Sequence, residues 1–135
     1  MEKLPGPPAV IYDVGGAYGE YAWWLSSLGY EIVKIPTRGG TLDLNALENA
    51  LTKNTILVTF MMVNNETGAR FPLEDAVCGI RQAAPRAHIH CDAVQAAGKL
   101  PLYAERWNLD SMAVSAHKIH GPKGVGALYI RRGVR

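Results

Sequence analysis

Cysteine is scarce in this chain of 135 residues: Cys78 and Cys91 are the only two, and no CxxC spacing occurs. That excludes a disulfide framework and a cysteine-ligated zinc site, and it suits a reducing, cytoplasmic compartment. No metal-ligand set is expected. Charge of one sign is also missing. The formal net charge is +2, too small to argue for nucleic acid or a membrane surface as partner. No apolar run is long enough to span a bilayer. The opening MEKLPGPPAV has neither a signal-peptide core nor the Arg/Ser-rich character of a transit peptide. Repeats and low-complexity tracts are absent. The basic end, Arg131-Arg132-Gly133-Val134-Arg135, is expected to be a frayed terminus.

What is present is an ordinary globular composition, 48% hydrophobic and 19% charged. The length allows one domain with a real core. After a proline-rich lead-in over residues 1–8, Ala9 to Tyr12 is a strand candidate and Asp13 to Gly16 a turn. Residues 17–28 form a helix that Gly29 stops. Glu31 to Ile35 is a strand, and Pro36 to Gly40 a loop. Leu44, Leu47 and Leu51 mark the apolar stripe of a helix over 43–51. Thr55 to Val63 is continuously apolar, which predicts a strand covered on both faces. Pro72 opens a helix whose apolar face is Leu73, Ala76, Val77 and Ile80, and Pro85 marks its end. Ala87 to Cys91 is a strand, and Ala93 to Ala97 one helical turn. Met112 to Val114 and Val125 to Ile130 are strands on either side of a polar loop and a Gly-Pro-Lys-Gly turn. Strands alternating with helices predict an α/β fold with a mostly parallel (mixed) sheet and flanking helices.

In such sheets ligands bind outside the carboxyl ends of the strands. Three polar groups fall at three such ends: Asn64-Asn65, Asp92, and Ser115 to Lys118. Asp92 alone reads as a helix N-cap, Lys118 alone as a solvated loop lysine, and His117 alone as a hydrogen-bonded loop histidine. Together they allow more. Gln95 follows Asp92 by three residues, so both side chains share one side of a helical turn. A carboxylate on a protonated ring nitrogen, an amide on a ring hydroxyl and an amine facing an aldehyde are the contacts pyridoxal 5'-phosphate needs. A partly desolvated lysine has a lowered pKa and attacks aldehydes. Ser115 and His117 can contact the phosphate, with backbone N–H groups of the loop, and His117 can carry protons. His88 and His90 read as strand-face histidines, and His120 as packed in the turn. Cys78 is placed on a helix, packed or half-exposed, and Cys91 in the core.

The stretches VNNETG (63–68), HCDAVQAAGKLP (90–101) and SAHKIHGPKGVGALYIRR (115–132) resemble the class-V aminotransferase family, in its cysteine desulfurase and selenocysteine lyase branch. The likeness runs over roughly residues 27–132 and is strongest over 55–132. It implies part of the large domain of a fold type I enzyme that forms homodimers and uses pyridoxal 5'-phosphate. It also implies roles. Lys118 would be the Schiff-base lysine, Asp92 the partner of the pyridine nitrogen and Gln95 that of the ring hydroxyl. Ser115 and His117 would hold the phosphate, and Asn65 would touch cofactor and substrate carboxylate. The implied reaction removes sulfur from L-cysteine, or selenium from L-selenocysteine, and leaves L-alanine.

The family pattern also includes features that these residues do not match. Its sulfur-accepting cysteine lies on a loop well after the lysine, at the position of neither Cys78 nor Cys91. Its small domain carries a substrate-carboxylate arginine. Its ring-stacking histidine aligns with the Val14-Gly15 region. One wall of a cofactor site is therefore expected, with affinity lowered by several kcal/mol at about 1 kcal/mol per lost hydrogen bond and a similar amount for stacking. An apolar patch should be left uncovered. Three readings follow: an enzyme domain working in a longer polypeptide, as a homodimer or with a complementing chain; a non-catalytic homologue acting as a binding module; or another class-V enzyme.

Overall fold

A computed structural model describes residues 10–14 and 20–134, with side chains described from Ala22 onward. The lead-in over 1–8 and the expected helix start at 17–19 lie outside the described residues. Eight strands and three α-helices follow in order: β1 Val10–Val14, α1 Glu20–Ser27, β2 Glu31–Ile35, β3 Thr37–Arg38, β4 Thr41–Leu42, α2 Leu44–Ala50, β5 Thr55–Met61, α3 Leu73–Ala83, β6 His88–Asp92, β7 Ser111–Ser115 and β8 Gly126–Ile130. A 3-10 turn, Ala116–Ile119, follows β7.

Six strands make one sheet in the order β2-β1-β5-β6-β7-β8. All neighbours are parallel except β7 and β8. The mostly parallel sheet is thus the one expected. Two details differ. Asp13 and Val14, expected in a turn, continue β1, because β2 and β5 pair with them on both sides. The expected loop at 36–40 contains β3, which pairs with β4 as a small ribbon. Gly39 and Gly40, both at positive φ, form its two-residue turn, the backbone such tight hairpins require.

The core lies on one face of the sheet. Val58 and Phe60 of β5, Ile89 and Cys91 of β6 and Met112 of β7 pack there with Leu47 of α2 and Val77 and Ile80 of α3. Helix α3 buries Leu73, Ala76, Val77 and Ile80, the four residues its apolar spacing picks out. The side chain of Asp43 caps α2 by accepting the Ala46 N–H at 3.0 Å. The opposite face carries Leu57, Thr59 and Met61 of β5 in register with His88, His90 and Asp92 of β6. These are only half-buried, so β5 is not covered on both faces among the described residues. Leu128 and Ile130 of β8 are 58% and 57% exposed, which is the uncovered apolar patch expected.

The terminus is tied down up to Arg131, contrary to the frayed end expected. Asp110 is 3% exposed. Its carboxylate accepts from both Arg81 and Arg131 and takes the Ile89 N–H at 2.8 Å. Arg131 also donates to Asn108. Strand β8 is further locked at its start. A Cβ on Gly126 would lie 2.8 Å from the Val114 carbonyl oxygen, a backbone atom that cannot yield. Gly126→Ala is expected to lower stability by about 1–3 kcal/mol, the cost of forcing atoms into filled space. Urea unfolding measures it, and a loss below about 0.5 kcal/mol would refute the close approach.

Candidate functional site

The candidate residues sit where three neighbouring parallel strands end. β5 runs into Asn64-Asn65, β6 ends on Asp92, and β7 ends on Ser115 ahead of the 3-10 turn. Backbone bonds hold these ends side by side. The Met62 N–H donates to the Asp92 carbonyl at 2.9 Å, and the Ala93 N–H to the Ala113 carbonyl at 2.9 Å. Residues 23 to 54 apart in sequence thereby share one sheet edge.

Each loop has its own reason for its shape. The Asn64 side chain accepts the N–H groups of Glu66 and Thr67, both at 2.9 Å. That is the asparagine turn of this residue type, and it ties Asn64 down while Asn65 stays exposed. Asp92 does cap the next turn, as its residue type alone suggests: Oδ1 accepts the Val94 N–H at 2.8 Å. Its other oxygen has no hydrogen bond among the described residues. One helical turn follows, with the N–H groups of Ala96 and Ala97 on the Ala93 carbonyl. Gln95 lies half-buried in that turn.

The Lys118 loop is built differently from expectation in one respect. Lys118 is exposed, not partly desolvated, within the 3-10 turn that follows β7. His120 closes that turn in the left-handed region, at φ 64°. Its side chain is exposed rather than packed. Ser115 and His117 do meet: Oγ and Nδ1 are 2.7 Å apart. The Asp92 and Lys118 loops also touch. Gly98, at φ 72°, comes so close to Ile119 that a Cβ would lie 2.8 Å from its Cγ2. Only a glycine meets both demands at once.

Neither thiol belongs to this edge. Cys91 is buried in the core as expected, and burial, with the Asp92 charge, pushes its pKa up to about 12. Cys78 is exposed on α3. Sequence reasoning missed a second polar group on the open face. His88 Nε2 and His90 Nδ1 both lie 2.8 Å from Ser111 Oγ. The alternation of His88 and His90 was visible, but the serine that joins them comes from another strand.

A parallel α/β sheet with a lysine loop beside an acidic strand end defines the class, and the family follows. The chain belongs to the aminotransferase class-V family, whose model matches residues 20–135. Over 112 residues it is 51% identical to a cysteine desulfurase of Trichormus azollae, covering 82% of this chain and 28% of that protein. The chain therefore spans less than a third of the length of that relative. Among solved structures, a NifS-like protein aligns with a TM-score of 0.89 and 36% identity, over 95% of this chain and 36% of that one. SspA in complex with cysteine aligns with a TM-score of 0.84 and 30% identity, over 93% of this chain and 37% of that one. Among the described residues no helix is long and apolar enough to cross a membrane.

Proposed function

We propose that these 135 residues are part of the large domain of a cysteine desulfurase or selenocysteine lyase that works on L-cysteine or L-selenocysteine with pyridoxal 5'-phosphate. The observation that carries this is the convergence of Asn65, Asp92 and the Ser115–Lys118 turn on one edge of a parallel sheet. The donor set fits the cofactor: one carboxylate, one amide, one amine, and a hydroxyl–imidazole pair. When bound, the cofactor supplies an electron sink for bond cleavage in the amino acid. Asp92 keeps the ring nitrogen protonated, and Gln95 offers an amide N–H to the ring hydroxyl. Lys118 is the amine that attaches the cofactor. Ser115 and His117 hold the phosphate, and His117 moves protons. Asn65 offers its amide to the cofactor and the substrate carboxylate.

The sulfur-accepting thiol is expected from outside this set: Cys91 is buried in the core, with its pKa pushed up to about 12, and Cys78 lies on α3, away from the strand ends. A homodimer or a complementing chain is the expected assembly. The exposed Leu128 and Ile130 favour association, which sedimentation velocity would register as concentration dependence. They also favour the rival reading, a non-catalytic interaction module.

Cofactor attachment separates the two. Pyridoxal 5'-phosphate added to the purified chain should give a saturable visible band. Borohydride reduction followed by peptide mass mapping should place the label on Lys118. No band, or a label spread over Lys99, Lys123 and the other lysines, would overturn the cofactor reading.

A further inference from the structure

We infer that His88, His90 and Ser111 form a binding site for a borderline transition-metal ion of the zinc, nickel or copper class, on the open sheet face next to Asp92. The geometry rests on strand register. His88 and His90 are two apart on β6, so their side chains leave the same face. Ser111 of β7 pairs in register with His90 and lies diagonal to His88. Two ring nitrogens from different residues thus converge within 2.8 Å of a single oxygen.

Both rings share a single hydroxyl partner. One hydroxyl has one proton, so Ser111 donates to one imidazole and accepts from the other. A neutral imidazole with a free ring nitrogen is the form that ligates metals. Binding requires that the ring now donating to Ser111 shift its proton to its other nitrogen and that the Ser111 hydroxyl proton turn away from the other ring. Imidazole favours zinc, nickel and copper over magnesium or calcium. Both imidazoles are half-buried and Ser111 is 6% exposed, so the ion would sit close against the sheet. Among the described residues no three His, Cys, Asp or Glu side chains cluster, so two imidazoles and a hydroxyl set a modest affinity, with water completing the shell.

The test is calorimetric titration of the metal-stripped chain with zinc chloride at pH 7.5. One ion per chain should bind. His88→Gln and His90→Gln should each weaken binding by more than about tenfold, since even an outer-shell partner is worth that much. His120→Gln, at the residue that closes the 3-10 turn, should leave it unchanged. Nitrogen-15 spectra of the wild-type chain decide the matter should a variant not fold. Zinc must shift His88 Nε2 and His90 Nδ1 together. No binding up to millimolar zinc, binding that survives both histidine variants, or shifts confined to His117 and His120 would overturn the site.

Discussion

Asp110→Ala should cost about 3–5 kcal/mol, the loss typical of removing one partner from a buried ion pair. The carboxylate is 3% exposed and serves three donors: Arg81, Arg131 and the Ile89 N–H. Its loss strands a guanidinium whose Nε already lacks a partner, and it orphans a buried N–H in β6. It also frees Arg131, which fastens the end of β8. A single domain has about 5–15 kcal/mol in all, so the variant should unfold at much lower urea. A loss under about 1 kcal/mol would show that the cluster is surface decoration. The same carboxylate sets an acid limit. Burial pushes its pKa up, but the Arg81 and Ile89 hydrogen bonds and the charges of Arg81 and Arg131 outweigh burial and hold it below the usual carboxylate range. The folded state therefore binds this proton less readily than the unfolded chain. The stabilisation is full above the unfolded carboxylate pKa and is lost as pH falls through the lower folded value. Asp110→Ala should flatten that part of the pH–stability profile.

Asp92→Asn should leave the fold intact and weaken cofactor binding by about 10- to 150-fold, the equivalent of about 1.5–3 kcal/mol for a charged hydrogen bond. Asparagine keeps an Oδ1 that can accept the Val94 N–H, so the turn carrying Gln95 survives. What disappears is the negative charge that, in the proposed site, would hold a proton on the ring nitrogen. Lys118→Ala serves as the companion variant. It should remove the visible band altogether, where Asp92→Asn only shifts the concentration that gives half of it. Equal cofactor affinity for Asp92→Asn and the wild type would remove Asp92 from the site. Unchanged thermal unfolding in both variants separates this from a general loss of structure.

The sequence alone determined the parts that depend on local pattern. Helix α3 was legible because four apolar side chains recur at helical spacing and prolines bracket them. The parallel sheet was legible because apolar runs alternate with helical stretches. The three polar strand ends were legible because each follows its run directly, and the family resemblance rests on the same stretches. Tertiary structure decided whatever joins residues distant in the chain. Asp110 finds Arg81 and Arg131 only after β6, β7 and β8 have paired, so a terminus that read as frayed is anchored. Ser111 meets His88 and His90 only through the register of β6 with β7. Exposure is decided in the same way: β5 is uniformly apolar, yet what lies over each of its faces is set by where other elements pack. Lys118 stands exposed in a 3-10 turn that the left-handed residue His120 closes. Hydrophobic period and turn chemistry act over a few residues. Burial, ion pairing and the meeting of Ser111 with His88 and His90 arise between distant elements and are fixed by how they pair and pack.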